Sequence, residues 1–400
     1  MELKFSKTLS RFNEPETLRM AKLARELREK GNEVIDLSIG EPDFNIPQHI
    51  KLAGIKAIEE NYSHYPPVTG YPELKKAICN KLETQNKLTY LPENVIASTG
   101  AKQSIANLIL ALIDENYETI IPAPYWVTYS EIVKLAGGKV ITVQTKVENG
   151  YKMTAQELEQ AITPQTRLFM FSSPCNPSGA FYSKSELEAL VKVFEKNPHV
   201  YIMSDEIYEH INYTGQHESI AQFESIKSRV IIINGMSKGF AMTGWRLGYL
   251  VAANTDIIKA CEKIQGQFTS GANTIAQRAS IEALNGSLEP TQEMEKEFKK
   301  RKEFIVDFFN KMEGVTFAEP DGAFYIFPNM SSFFGKKTKD GKVIANADDM
   351  CFYFLNYAFV SSVSGASFGT PECVRFSFAN SLPNIQKALE KIESALKELH

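Results

Sequence analysis

The sequence predicts an α/β fold, with a large, mainly parallel β-sheet between layers of helices and a smaller α+β domain. Short β-branched runs alternate with helical segments from about residue 94 to residue 285, which is the pattern of a parallel sheet. After residue 286 the pattern changes to one long charged helix followed by short strands. With 400 residues available, we expect a large domain over 45–286 and a small domain made from 1–44 and 287–400.

The composition is that of an ordinary globular protein, with 43% hydrophobic and 23% charged residues. A net charge of −4 and the lack of dense Lys/Arg blocks argue against a nucleic-acid partner. The first residues lack the apolar core of a signal peptide, and no apolar run approaches membrane-spanning length. The five cysteines are scattered and lack CxxC spacing, which indicates free thiols in a reducing compartment. We therefore expect a cytoplasmic protein without a metal site, a membrane or a nucleic-acid partner.

The first helix is expected over 16–30, because Leu18, Leu23 and Leu27 lie near one face and Gly31 can end it. A strand over 34–39 follows it. In the large domain we expect strands that begin near residues 94, 118, 139, 167, 200 and 230, and helices over 48–60, 73–85, 104–113, 131–138, 154–162, 184–196, 254–268 and 273–285. In the small domain we expect a charged helix over 289–312, strands over 315–317, 321–327 and 372–379, a polar surface segment over 329–347, and helices over 347–357 and 383–399.

The segment from Gly235 to Gly248 contains the residues on which the functional prediction rests. Lys238 lies there among glycines and Ser237, which allow a bulky ligand to approach it closely, and Arg246 follows eight positions later. A lysine forms a Schiff base with a carbonyl cofactor when burial or cationic neighbours remove its proton. The planar fork of an arginine suits a phosphate group. The structural alternative is a strand-to-loop turn with a solvated lysine and a surface arginine.

Other polar groups occur where strands end. The N–H groups of Gly100, Ala101 and Lys102 open a helix, and such groups attract phosphate. Asn176 lies in a proline-flanked turn that holds its amide rigidly. Asp205 ends an apolar strand, the usual location of ligand-contacting groups in open α/β sheets. Each of these signals is weak alone, because many α/β proteins have such turns for structural reasons.

The string from Gly235 to Gly248 resembles the pyridoxal 5′-phosphate (PLP) attachment signature of the class I aminotransferases, which are fold-type-I PLP enzymes. The resemblance covers nearly the whole chain, in the family's motif order, and is closest to the bacterial aspartate aminotransferases. It implies that Lys238 is the catalytic residue and binds PLP covalently. It also implies that Asp205 pairs with the ring nitrogen, that Asn176 and Tyr208 contact the ring oxygen O3′, and that Trp126 stacks on the ring.

The phosphate of PLP would be bound by Arg246, Ser237 and the turn from Gly100 to Lys102. In the family, a tyrosine at the position of Tyr65 crosses to the partner subunit and contacts the same phosphate. The resemblance therefore implies a homodimer with shared active sites. The alternative for Tyr65 is simple packing within a proline-rich loop.

The substrate site is also implied by the resemblance. Arg375 matches the arginine that binds the substrate α-carboxylate with both arms of its fork, although an arginine on an alternating strand can also face water. Lys102 and Thr17 resemble groups that some bacterial members use for the side-chain carboxylate; otherwise Lys102 is a solvated lysine at a helix start. The implied substrate-binding set is Gly40, Trp126, Asn176, Arg375, Lys102 and Thr17.

These implications give aspartate and 2-oxoglutarate as the substrate pair, with aromatic acids or prephenate as further substrates. An aromatic or broad-specificity aminotransferase is the alternative, followed by a PLP-dependent C–S β-lyase. A non-enzymatic sensor domain of a transcription regulator is a remote option. The chain departs from the family pattern in having Cys175, Ser178 and Ser364 where asparagine, threonine and proline are common, and Gly235 where some relatives have a phosphate-binding serine.

Overall fold

The computed structural model describes residues 4–13 and 16–400, and it describes the side chains of all of these except 16–18. The strands are β1 (Ile35–Asp36), β2 (Val95–Ser98), β3 (Glu118–Ala123), β4 (Lys139–Gln144), β5 (Thr166–Ser172), β6 (Tyr201–Asp205), β7 (Val230–Gly235), β8 (Gly248–Ala252), β9 (Tyr325–Ile326), β10 (Val360–Ser361), β11 (Val363–Ser364) and β12 (Val374–Ser377). The helices are α1 (Glu16–Glu29), α2 (Gln48–Glu59), α3 (Pro72–Asn86), α4 (Ala101–Leu112), α5 (Thr128–Ala136), α6 (Ala155–Ala161), α7 (Lys184–Lys196), α8 (Thr255–Phe268), α9 (Thr274–Asn285), α10 (Glu289–Asn310), α11 (Ala347–Tyr353) and α12 (Leu382–Lys397).

The large sheet has the strand order β2-β8-β7-β6-β5-β3-β4, and only β8 runs against its neighbours. The predicted mainly parallel α/β sheet is therefore confirmed. Strand β8 is not predicted by the sequence pattern, and it pairs with β7 along a register that includes Gly235 opposite Gly248. A Cβ atom on Gly235 would lie 2.7 Å from the Gly248 Cα atom, so this crossing requires glycine.

Both faces of the large sheet are covered by helices. On β7, Ile232 belongs to the apolar cluster that also contains Leu74 of α3 and Leu190 of α7. Its neighbour Ile231 faces the other way, into the cluster that contains Leu108 of α4. Side chains alternate along a strand, so continuous apolar strands such as 230–233 fill both layers at once.

The two ends of the chain meet in a second unit. β1 pairs with β10 in parallel, Ile35 opposite Val360, while β11, β12 and β9 form an antiparallel sheet. One apolar cluster contains Met20 of α1, Phe298 of α10 and Ile392 of α12. This arrangement accords with a small domain built from both termini; the boundaries at 44/45 and 286/287 stay predictions.

Three strands predicted for the small domain are shorter in the structure than expected. Those over 34–39, 321–327 and 372–379 are limited to β1, β9 and β12. The strand over 315–317 is wrong: Thr316 makes one bridge to Asn329, which bridges Cys373 in turn, so no ladder develops. The segment 329–347 is not all surface, because Met330 and Ile344 are buried.

None of the helices in the described part of the chain combines the length and apolar character needed to span a bilayer.

Candidate active site

A cavity of about 280 Å³ lies at the edge of the large sheet where its parallel strands end. Trp126 follows β3, Asn176 follows β5, Asp205 ends β6 and Lys238 follows β7. Parallel strands bring their carboxyl ends to one edge, so separate parts of the sequence converge there. The predicted site residues that line the cavity are Gly40, Ala101, Lys102, Trp126, Asn176, Asp205, Tyr208, Ser237, Lys238, Arg246 and Arg375.

Lys238 lies in the centre of this group. Its Nζ atom donates a hydrogen bond to the Gly40 carbonyl oxygen over 2.5 Å. Burial, together with Arg246 and Arg375, lowers the pKa of Lys238 to about 8, against the opposing effect of the carboxylates of Glu41 and Asp205. The amine is therefore neutral in part of the molecules near neutral pH.

Asp205 forms the inner wall. Its Oδ2 atom accepts a hydrogen bond from the Tyr129 hydroxyl over 2.6 Å, and its Oδ1 atom accepts one from the Ile207 N–H over 3.2 Å. Burial raises the pKa of Asp205 to about 6, against the effect of these two donors. Its described hydrogen-bond donors are neutral, so the carboxylate lies buried without a cation in direct contact.

Arg375 closes the side of the cavity that faces the small sheet, and it is 2% exposed. It donates from Nη1 to Asn176 Oδ1 over 2.9 Å and from Nη2 to the Ser38 carbonyl oxygen. The guanidinium lies 4.6 Å from the ring centroid of Tyr325 and 5.1 Å from that of Phe368. The alternative of an arginine on the wet face of an edge strand is wrong, because Arg375 is buried and β12 is the middle strand of its sheet.

Tyr208 contacts a neighbouring phenol. Its hydroxyl lies 2.8 Å from that of Tyr325, and burial raises the pKa of Tyr208 well above its ordinary value. The hydroxyl therefore stays protonated at physiological pH. Tyr208 and Asn176 both line the cavity.

The start of α4 and Arg246 form the exposed end of the cavity. Gly100 precedes α4, and a Cβ atom there would lie 2.3 Å from Arg246 Nη2. Glycine at 100 thus lets the guanidinium approach the N–H groups of the first helical turn, of which Ala101 and Lys102 are part. Arg246 also donates from Nη1 to the Thr243 carbonyl oxygen over 2.8 Å. A cation beside free N–H groups is suited to binding an anion.

Lys102 extends along Trp126. Its Nζ atom lies 4.9 Å from the centroid of the indole ring, within the range of a cation–π contact. Both residues line the cavity. The ammonium therefore stands beside the aromatic wall of the cavity, where an acidic ligand group can reach it.

Tyr65 and Gly100 are predicted site residues that do not line the cavity, although Gly100 lies beside Arg246, which does. Tyr65 is also 90% exposed, so a role within one subunit has no geometric support. Thr17 lies on α1, but its side chain is outside the described part of the structure.

Proteins of known structure share this fold. A family model described as aminotransferase class I and II matches residues 32–392. A relative from Rhizobium leguminosarum bv. phaseoli, named a probable aspartate/prephenate aminotransferase, is 42% identical over 388 residues, or 96% of each chain. The crystal structure of the aspartate aminotransferase from Rhizobium meliloti has a TM-score of 0.96 and 38% identity, with full coverage of both chains. That of the Thermus thermophilus aspartate aminotransferase with maleate has a TM-score of 0.92 and 34% identity, covering 98% of this chain and all of that one.

The chain belongs to the class I and II aminotransferases. The resemblance and fold class predicted from its motifs are thereby confirmed.

Within this aminotransferase, the cavity also contains residues to which the sequence analysis gave no role. They include Tyr129, which contacts Asp205; Tyr325, which contacts Tyr208; and Thr243, which donates to Glu41 Oε2 over 2.8 Å. Tyr129 lies in the first turn of α5, three positions after Trp126, and nothing in the local sequence distinguishes it from a core tyrosine.

Two departures from the family pattern have a structural explanation. Cys175 points away from the cavity, with its Sγ atom 3.6 Å from the Pro124 carbonyl oxygen, so it leaves Asn176 in place. Gly235 has no room for the serine that some relatives carry, because of the close pairing with Gly248. A phosphate group in this aminotransferase would therefore depend on Ser237, Arg246 and the start of α4.

Proposed function

We propose that this chain is a PLP-dependent aminotransferase that moves an amino group between L-aspartate and 2-oxoglutarate, giving oxaloacetate and L-glutamate. The observation that carries the proposal is the convergence of Lys238, Asp205 and Arg375 on one cavity, in a chain of the class I and II aminotransferase family. The names of its relatives from Rhizobium leguminosarum and Rhizobium meliloti support aspartate as a substrate.

The residues of the cavity fit the PLP ring. Asp205 is a buried carboxylate whose described hydrogen-bond donors are neutral, and a protonated ring nitrogen would supply the cationic partner that a buried charge requires. Asn176 and Tyr208 would hydrogen-bond the ring oxygen. Trp126 would cover one face of the ring.

The opposite end of the cavity fits the PLP phosphate. The N–H groups at the start of α4 and the Arg246 guanidinium lie together there, where Gly100 leaves room for both. We assign Gly100, Ala101, Lys102, Ser237 and Arg246 to the phosphate. Helix N-termini and arginine forks are the usual protein ligands of such a group.

Lys238 would hold the cofactor covalently and then act as the general base. When bound, PLP supplies a protonated pyridine ring that accepts the electron pair released when a proton leaves the substrate Cα atom. Lys238 Nζ would take that proton and return it to the cofactor carbon C4′. A pKa of about 8 suits this task, because a general base works best when its pKa lies near the working pH.

Arg375 would bind the substrate α-carboxylate beside Gly40 and Asn176. Its Nε atom is buried and has no hydrogen-bond partner in the described structure, so the guanidinium retains donor capacity for a ligand. Fixing the carboxylate would orient the Cα–H bond towards Lys238, and such positioning is a large part of catalysis.

The side-chain carboxylate of aspartate would be met by Lys102, with Trp126 beside it and Thr17 as a further candidate. The Nζ atom of Lys102 stands at the indole wall of the cavity. The solved structure of the Thermus thermophilus relative is one with maleate, a dicarboxylate, which supports a site for two carboxylates. Prephenate is a further acceptor to test, since the Rhizobium leguminosarum relative is named for it.

A homodimer with shared active sites is part of the proposal. Tyr65 is 90% exposed, and Leu52, Ile55 and Ile58 on α2 are 54%, 50% and 61% exposed. A second copy of the chain would cover this apolar face and bring Tyr65 to the partner's phosphate site. Sedimentation of the wild type should give a dimer, and Ile55→Glu should weaken its association. Val343→Glu, at a similarly exposed position, should leave the dimer intact. A wild-type protein that sediments as a monomer would contradict the proposal.

The decisive experiment is to load the purified protein with PLP and record its absorbance spectrum before and after L-aspartate. A yellow band that converts to the spectrum of pyridoxamine phosphate would support transamination of aspartate. Borohydride reduction followed by mass spectrometry should give a pyridoxyl adduct on Lys238. The absence of that adduct would overturn the proposal.

The same preparation separates the alternatives. Release of pyruvate from cystathionine would indicate a C–S β-lyase. Amino transfer from phenylalanine as efficient as from aspartate would indicate an aromatic or broad-specificity aminotransferase. Lys238→Ala is the control, because it removes the proposed base and should abolish turnover in every assay.

A further inference from the structure

We propose that Tyr129 is a positioning residue that holds Asp205 ionised and aligned, so that the proton of the Asp205–pyridine pair stays on the ring nitrogen. The inference rests on the proposed function. It concerns a side chain that the sequence analysis did not single out.

Tyr129 contacts Asp205 directly. The Tyr129 hydroxyl donates to Asp205 Oδ2 over 2.6 Å, and both residues are buried, at 1% and 4% exposure. Burial and the neighbouring Asp205 carboxylate raise the pKa of Tyr129 well above its ordinary value. Its hydroxyl is therefore a donor at every physiological pH, and it cannot take the proton from Asp205.

The surroundings of Asp205 decide whether its carboxyl group is charged. A carboxylate in a low-dielectric site tends to become neutral, and burial does raise the pKa of Asp205 to about 6. Glu206 acts in the same direction, whereas Lys238 and the donors Tyr129 and Ile207 favour the charged form. Of the hydrogen bonds to Asp205, the one from Tyr129 is shorter than that from Ile207, 2.6 Å against 3.2 Å.

Asp205 and the PLP ring nitrogen would compete for one proton. A ring nitrogen and a carboxylate in contact are two bases, and the proton stays on the nitrogen only while the carboxylate is the weaker base. A hydrogen bond donated to the carboxylate weakens it as a base. Loss of the Tyr129 hydroxyl would therefore draw the proton towards Asp205 and make the ring a poorer acceptor of electrons.

Tyr129 also packs against Trp126, the residue proposed to cover one face of the PLP ring. The ring of Tyr129 packs edge-on against the indole of Trp126, with centroids 5.6 Å apart and an interplanar angle of 89°. One side chain thus supports both the carboxylate proposed for the ring nitrogen and the indole proposed for the ring face. Phenylalanine would keep the second contact and lose only the first.

The test is Tyr129→Phe in the PLP-loaded enzyme, with PLP labelled with ¹⁵N in the ring. The ¹⁵N chemical shift reports protonation of the ring nitrogen directly. In the wild type it should have the value of a protonated pyridine, and in Tyr129→Phe it should move towards the neutral value. We expect kcat for aspartate to fall about 10- to 100-fold, because a hydrogen bond to a charged group shifts a pKa by roughly one to two units. The KM for aspartate should change less than about threefold, because Arg375 is untouched.

Tyr182→Phe is the matched control. Tyr182 is also a buried phenol, but its hydroxyl accepts a hydrogen bond from the Met153 N–H over 2.7 Å and does not contact Asp205. This variant should have the wild-type ¹⁵N shift. A Tyr129→Phe enzyme that retains the protonated shift and the wild-type kcat would overturn the inference. Wild-type protein that takes up no PLP would instead overturn the proposed function.

A second substitution covers the case in which Tyr129→Phe does not fold. Tyr129→3-fluorotyrosine keeps the shape of the side chain and makes its hydroxyl a stronger donor. Within the singly protonated pair the proton should then lie at least as far towards the ring nitrogen as in the wild type, so the ¹⁵N shift should keep the value of a protonated pyridine. A ¹⁵N shift that moves towards the neutral value would overturn the inference.

Discussion

Arg375 donates from Nη1 to Asn176 Oδ1 over 2.9 Å, and this contact joins β12 of the small sheet to the turn after β5 of the large one. The guanidinium is further fixed by the Ser38 carbonyl oxygen and by the rings of Tyr325 and Phe368. Asp36 supports Ser38 in turn by accepting hydrogen bonds from its N–H and its hydroxyl. The proposed carboxylate site is therefore oriented by both sheets before a substrate arrives.

Replacing Arg375 by lysine should weaken substrate binding and leave the cofactor in place. Arg375→Lys keeps the positive charge but loses the planar fork that binds a carboxylate with two hydrogen bonds. We expect KM for aspartate to rise about 100-fold, which corresponds to about 3 kcal/mol for charge-assisted hydrogen bonds. Steady-state kinetics, with PLP content measured by absorbance, test this.

Arg229→Lys is the control for that change. Arg229 donates to the carbonyl oxygens of Phe194, Asn197 and Val200, all remote from the cavity. Its replacement should lower stability without changing KM. If Arg375→Lys alters KM no more than this control, Arg375 does not bind the substrate carboxylate.

Lys102→Ala should separate acidic from aromatic substrates. If the ammonium beside Trp126 meets the side-chain carboxylate, its loss should raise KM for aspartate about tenfold or more, since a hydrogen bond to a charged group is worth about 1.5–3 kcal/mol. KM for phenylalanine, which has no second carboxylate, should change little. Comparing the two substrates in one variant is the internal control. Equal losses would remove the case for a dicarboxylate site at Lys102.

The convergence of the site could be predicted because it follows from strand ends. Asp205 terminates an apolar strand and Lys238 follows another, and parallel strands must bring such residues to one edge. The apolar periodicity also gave most helices to within a few residues. Both features can be predicted because the burial of a residue by its own helix or strand sets the order of apolar and polar residues along the sequence.

The remaining features depend on contacts between distant parts of the chain. The antiparallel strand β8 follows from the pairing of two glycines, which periodicity does not reveal. Glu206, the neighbour of Asp205 in the sequence, is 1% exposed and accepts hydrogen bonds from Ser204 and Ser219, which no local pattern predicts. Tyr129 resembles any core tyrosine until its hydroxyl is seen beside Asp205. Long-range partners of this kind leave no local pattern.

The capture of PLP by the cofactor-free protein should depend on pH through Lys238. Only a neutral amine attacks the aldehyde, and burial lowers the pKa of Lys238 from 10.5 to about 8. The rate of capture, followed by absorbance after rapid mixing, should rise about tenfold per pH unit below pH 8 and become level above it. A rate that keeps rising to pH 10 would mean that the ammonium is not perturbed.

The lowered pKa of Lys238 also makes the free energy of unfolding depend on pH. Between pH 8 and 10.5 the unfolded chain retains the Lys238 proton that the folded chain has lost. Because stability rises with pH wherever the unfolded state binds more protons, Lys238 contributes increasing stability to the cofactor-free protein over this window. Lys238→Met should remove that part of the slope, as measured by urea unfolding at several pH values.

Lys81 and Glu209 form a buried ion pair behind the sheet, with side chains 1% and 5% exposed. Although burial alone would raise the pKa of Glu209, the attraction of Lys81 holds it below its ordinary value. Lys81→Met leaves a buried carboxylate without its cation, so we expect a loss of about 3–5 kcal/mol in the free energy of unfolding in urea.

The double variant Lys81→Met/Glu209→Gln distinguishes loss of the pair from loss of packing. It removes both charges and keeps similar side-chain volumes. Asn234 can still donate to the Gln amide oxygen, while Asn86, whose Oδ1 atom loses its Lys81 donor, can turn to accept from the Gln amide N–H. It should therefore recover most of the stability, since replacing a buried pair by neutral groups is often nearly neutral. The exposed pair of Lys311 and Asp307 gives the reference, and Lys311→Met should cost less than about 1 kcal/mol. A double variant as unstable as Lys81→Met would mean that the stem of Lys81, and not its charge, stabilises this part of the fold.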